Sequence, residues 1–223
     1  MNNQGRRGAL RWTAAAAMIG AVLGVTGCQQ TSTATRAAAK PVSSAAVTGM
    51  AGAGTSGGAC VFIKPDGAQK FGHVGWGFRV AGTNRWVYGA VENPSGNLYT
   101  PPGGDIGAWH AEGSYDRMLG EMSRDAHYPG NSEHPYSRYR CTNSPTYDTN
   151  AARAMIRTVE SRGFLVGFDP KTGELTSRDC LDATYDVLKA YRTRHLTPAL
   201  KLSIPNVWVE ELWGWSDKKL TPR

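Results

Sequence analysis

Cysteine is scarce in this chain: four in 223 residues, none in a Cys-x-x-Cys pair. His110, His127 and His134 follow no regular spacing, and no two histidines stand four apart on a helical face. That pattern offers no zinc site, and neither a metal nor another cofactor is expected. Long apolar runs are missing too. The longest, Thr13 to Val25, is too short for a comfortable membrane span. No internal repeat appears, which excludes solenoids and propellers. There is also no basic helix and no interleaved basic and aromatic surface, so the net charge of +7 does not point to nucleic acid.

Much of that charge belongs to the first residues. Gly5 to Arg11 is a basic segment with twin arginines, Thr13 to Val25 is alanine-rich and apolar, and Val25-Thr26-Gly27-Cys28 ends in small residues before a cysteine. This three-part layout resembles a bacterial lipoprotein signal of the twin-arginine type. The resemblance implies that residues 1–27 are removed, that Cys28 is lipidated, and that the protein is held extracytoplasmically on the bacterial cell membrane. The remainder carries 22 basic and 18 acidic residues, a net +4 that suits an anionic envelope. Residues 28–58 are mostly Ala, Gly, Ser and Thr, with too few large apolar side chains to offset the entropy of ordering, and read as a flexible tether.

Residues 59–223 suffice for one domain with a single core. An extracytoplasmic chain with three further cysteines, Cys60, Cys141 and Cys180, holds an odd thiol. If Cys60 and Cys141 pair, Cys180 is the free one. Ala59 to Ile63 is β-prone, and Phe71 to Val80 alternates His73, Gly75, Gly77 and Arg79 on one face with Val74, Trp76, Phe78 and Val80 on a core face. With Gly82-Thr83 as a two-residue turn, the returning strand Arg85 to Val91 brings Glu92 opposite His73, about 5 Å away at Cβ. A one-residue slip would bring Asn93 there instead. Asn93 to Gly113 reads as a long loop, Tyr115 to Asp125 as a short helix, and Tyr136 to Cys141 as a strand. Asn150 reads as the cap of a helix closed by Gly163. A strand, Phe164 to Phe168, and a turn lead to Ser177-Arg178-Asp179-Cys180, where a capping cluster opens an apolar periodic run. A cysteine at a helix start meets unpaired amides and the positive end of the helix dipole, both of which favour a thiolate.

A thiol hydrolase needs an ionisable cysteine, a histidine to carry its proton, a group to orient that histidine and donors for the oxyanion. Cys180, His73, and Glu92 or Asn93 fill the first three roles, and the amides around Cys180 the fourth. The order is histidine strand, partner, cysteine helix. With Gly72-His73-Val74-Gly75, Glu92-Asn93-Pro94 and Asp179-Cys180, it resembles the circularly permuted papain-like cysteine hydrolases, relatives of the NlpC-type peptidases that include the lecithin:retinol acyltransferase-like branch. Asp179 departs from the asparagine of that motif, and its charge opposes a neighbouring thiolate.

The resemblance implies an α+β fold, an antiparallel sheet with helices packed on one side in the permuted papain-like arrangement. It also implies a cysteine hydrolase or acyltransferase acting on an amide or acyl bond of a cell-wall peptide or a lipid. A monomer is expected, with the membrane as partner through its lipid anchor and no nucleic acid. The competing expectations are a non-catalytic envelope-binding lipoprotein using the same groove, and a structural or redox protein with Cys180 in a disulfide.

Overall fold

A computed structural model describes residues 56–124 and 136–221. The signal, lipidation and most of the tether expectations fall outside these residues. Among the described residues no helix is long and apolar enough to cross a membrane.

The chain forms an antiparallel α+β fold. Strands β1 (Gly57–Lys64), β2 (His73–Arg79), β3 (Arg85–Val91), β5 (Ala108–Ser114), β6 (Arg138–Ser144) and β9 (Ser216–Lys219) make a six-stranded sheet in the order β5-β3-β2-β1-β6-β9. A smaller sheet joins β4 (Tyr99–Thr100), β7 (Phe164–Phe168) and β8 (Leu175–Arg178). Its helices are α1 (Tyr115–Arg124), α2 (Thr149–Ser161), α3 (Cys180–Ala190) and α4 (Pro205–Glu210). β1 begins two residues inside the segment read as tether, because Gly57 and Gly58 pair with Ser144 and Asn143.

The β2–β3 register is the one that the alternation and turn arithmetic give: Gly75 faces Ala90, Trp76 faces Gly89, and continuing inward sets His73 against Glu92. The turn itself is wider than expected. Val80 donates to Arg85 across Ala81–Asn84, which preserves the register while lengthening the loop to four residues.

Both faces of the large sheet are covered, so the core is double rather than single. On one face Val61, Ile63, Val74, Trp76, Phe78 and Val87 pack with α2, α3 and α4 side chains such as Ile156, Val187 and Trp208. On the other, Phe62, Tyr88, Trp109, Tyr136 and Tyr139 pack with Met118 and Met122 of α1. Helices on one side only is therefore corrected: α1 lies opposite the others. The glycine face of β2 is not its solvent face. A Cβ on Gly75 would come within 2.9 Å of Met122 Cε, and one on Gly77 within 2.8 Å of Met118 Sδ, so the bare backbone is what admits α1.

Two further expectations are corrected. β4 and β5 occupy the stretch read as loop from Asn93 to Gly113, where glycine, histidine and glutamate obscure the alternation. α2 is capped by Asp148, whose side chain accepts from the Ala151 amide, rather than by Asn150. Val207-Trp208-Val209 lies in a short helix, α4, started by Pro205.

Cys60 and Cys141 face each other on adjacent strands and form a disulfide that closes a loop with a sequence separation of 81. Replacing both by alanine is expected to lower stability by about 2–5 kcal/mol, read as a lower urea midpoint relative to the parent chain.

Candidate active site

The site is assembled where three neighbouring strands end or begin. Lys64 closes β1, His73 opens β2 directly opposite it, and Glu92 follows β3. α3 is set against the same corner, since the Thr184 hydroxyl in its second turn donates to the Val74 carbonyl of β2. Gly72, just before His73, has φ +94, and a Cβ there would overlap the side chain of Asn206. That backbone conformation and that close approach both call for glycine.

Glu92 is the buried hub. Its side chain is 2% exposed, with Oε2 2.8 Å from His73 Nε2 and 3.3 Å from Lys64 Nζ. Oε1 accepts from the Trp109 indole N–H at 3.2 Å and the Tyr136 hydroxyl at 3.1 Å. Burial alone would raise the Glu92 pKa. The positive His73 and Lys64 and the Trp109 donor outweigh it and bring the carboxyl down to about 2. The Lys64 ammonium also lies 4.7 Å from the centre of the Tyr136 ring, a cation–π contact.

His73 responds in the opposite direction. Burial would lower its pKa, but the charges of Cys180 and Glu92 outweigh it and raise it to about 10. The His73–Glu92 approach is off-axis for a linear hydrogen bond, so charge attraction dominates this contact. With Nε2 turned to Glu92, Nδ1 is the ring nitrogen left for the Cys180 thiol. Asn93, the alternative partner, does not reach the histidine. It has φ +46, its side-chain amide donates to the Asn97 carbonyl, and its side-chain oxygen accepts from Ser95. The side chain thus braces its own turn, which is why Glu92 alone faces the imidazole.

Cys180 is a free, buried cysteine, 7% exposed, at the first position of α3. Asp179 caps that helix, accepting from the Leu181 amide at 2.8 Å and the Asp182 amide at 3.0 Å, while Asp182 accepts from the Asp179 amide. This capping box uses two of the amides that could otherwise serve an oxyanion and leaves the Cys180 amide out of the cap. Burial and the neighbouring Asp182 charge raise the Asp179 pKa to about 6, against the lowering effect of the Asp182 and Leu181 amides.

Cys180, His73, Glu92 and Asp179 line a cavity of about 900 Å³. Val91, Leu98, Phe164, Val166, Leu202 and Ile204 contribute much of the remaining wall. Among the described residues no three His, Cys, Asp or Glu side chains converge as a metal-binding group. His110 lies on β5 rather than in a loop, and its Nδ1 is 2.5 Å from Glu160 Oε1.

Sequence reasoning missed Lys64, Trp109 and Tyr136. Lys64 was within reach, because extending the strand pairing from β2 to β1 sets it opposite His73. Trp109 lay hidden in an unrecognised strand, and Tyr136 stood at the edge of one. The fold and site together define an α+β protein with a carboxylate, an imidazole and a thiol lining one largely apolar cavity. No family model, curated protein or solved structure matches the chain.

Proposed function

We propose that this chain is a cysteine hydrolase or acyltransferase of permuted papain-like type, anchored in the bacterial envelope through Cys28 and acting on an amide or acyl bond. The observation that carries the reading is His73 against a buried Glu92 at a cavity that Cys180 also lines. In this reading the Cys180 thiol passes its proton to His73, whose imidazolium faces the Glu92 carboxylate. Such a pair holds its nucleophile ready and its proton on the imidazole.

In the first step Cys180 Sγ bonds to the substrate carbonyl carbon, and the Cys180 amide donates to the developing oxyanion. The bond to the leaving oxygen or nitrogen then breaks as His73 gives that atom its proton, leaving a thioester. Water or an acceptor hydroxyl or amine next attacks the thioester. His73 takes the proton of that attacking group, and the thiolate departs. Glu92 holds the imidazole in place throughout and stabilises its charged form. The apolar cavity wall supports an acyl-bearing lipid substrate over a cell-wall peptide, whose amides would find few partners there.

Incubation with a p-nitrophenyl acyl ester is expected to add one acyl group to Cys180, detectable by mass spectrometry of the intact and digested protein. The Cys180→Ala chain should stay unmodified. Failure of the parent chain to acquire the thioester sinks the assignment.

A further inference from the structure

Large apolar side chains gather outside the cavity as well as within it. Phe71 is 55% exposed, Leu98 66%, Leu202 37% and Ile204 41%, and all four line the mouth. They come from three separate segments, fixed to one another by named bonds. The Asn206 side-chain amide donates to the Pro65 and Lys70 carbonyls, and its backbone amide donates to Phe71. The Leu202 amide donates to the Ser177 hydroxyl of β8, while the Leu98 carbonyl accepts from Val166 of β7. The apolar groups are therefore held outward on a braced collar. Leu202 has φ +62, and Ala68, Gln69 and Lys70 all have positive φ, so two tight turns shape this rim.

Charge supplies the second observation. Lys70 precedes Phe71, and Lys201 stands between Leu200 and Leu202, all five exposed. Asp66 is the exposed acid on the same rim. Apolar side chains flanked by lysines suit an interface where the apolar groups enter the acyl boundary and the ammonium groups reach anionic headgroups.

We propose that the cavity mouth is a docking face for an anionic lipid bilayer, inserted through Phe71, Leu98, Leu202 and Ile204 and held by Lys70 and Lys201. Docking would place the opening of the cavity at the level of the lipid carbonyls. The interaction does not require Cys180, so it stands or falls separately from the acyl-transfer reading.

The test uses the full chain with Cys28→Ser, so that no lipid is attached there, and phosphatidylcholine vesicles with and without phosphatidylglycerol. Hydrogen exchange is expected to slow on anionic vesicles at residues 69–72, 97–99 and 200–207. The double variant Phe71→Ser, Ile204→Ser should lose at least about tenfold in vesicle affinity with an unchanged melting temperature, because both side chains are exposed. Lys70→Gln and Lys201→Gln should each weaken binding about fivefold, with the effect fading in high salt. Protection confined to residues 1–55, or unaltered binding by the double variant, overturns the proposal. So does a dimer that shields the same amides without vesicles, since a second copy of the chain would then be the occupant.

Discussion

Glu92→Gln is expected to cost the fold about 3–5 kcal/mol and to slow thioester formation at Cys180 together. The substitution keeps the size of the side chain but replaces one acceptor oxygen by a donor, facing a site that presents donors from His73, Lys64, Trp109 and Tyr136. It also leaves the buried Lys64 ammonium and the His73 imidazolium without their carboxylate. Urea unfolding as a function of pH separates the contributions. The pKa of folded Glu92 lies at about 2, below its ordinary 4.5, so its stabilisation is fully present above 4.5 and is lost as pH falls towards 2. That of folded His73 lies at about 10, above its ordinary 6.5, so its stabilisation is fully present below 6.5 and is lost as pH rises through 10. The Gln variant should flatten the acid limb and move the alkaline limb towards neutrality. A variant with parental stability and both limbs unchanged would remove Glu92 from the centre of the site.

On the proposed mechanism, His73→Ala should reduce the rate of acyl transfer by about 10² to 10⁴ with little change in KM, because the imidazole would move a proton while the acyl chain would lie against the apolar wall of Val91, Leu98, Phe164 and Val166. Its cost to the fold should be smaller than that of Glu92→Gln, since Lys64 still faces the carboxylate. Added imidazole is expected to restore part of the rate by entering the vacated space between Glu92 and Cys180. Stopped-flow measurement of p-nitrophenol release checks the point, and an undiminished burst in the variant would contradict the role given to His73.

The hairpin holding His73 and Glu92 was legible because two alternating strands and a short turn fix which residues share a face. Cys180 was legible for a local reason as well: a capping residue before an apolar run marks a helix start wherever the helix ends up in the fold. The second core was not. A face of His73, Gly75 and Gly77 carries no hydrophobicity of its own, and its burial follows only from α1 pressing its methionines onto bare backbone. β5 escaped notice because Ala108–Ser114 includes histidine, glutamate and glycine in a stretch flanked by turns. Lys64 illustrates a different limit. A lysine at a strand end is ordinarily solvated, and here Glu92 and the Tyr136 ring converge on it as buried partners.

Lys64, His73 and Glu92 all come from one short meander, whereas the sulfur arrives on a helix that begins only at residue 180. The meander makes its contacts between near neighbours in sequence and can form early in folding, while the docking of α3 closes a long loop and belongs to a later stage. A chain caught between those stages holds its imidazole and carboxylate but offers them no thiol. Acylation of Cys180, which on the proposed mechanism needs the imidazole as well as the sulfur, therefore reports completion of the fold, and a p-nitrophenyl ester would distinguish finished molecules from unfinished ones.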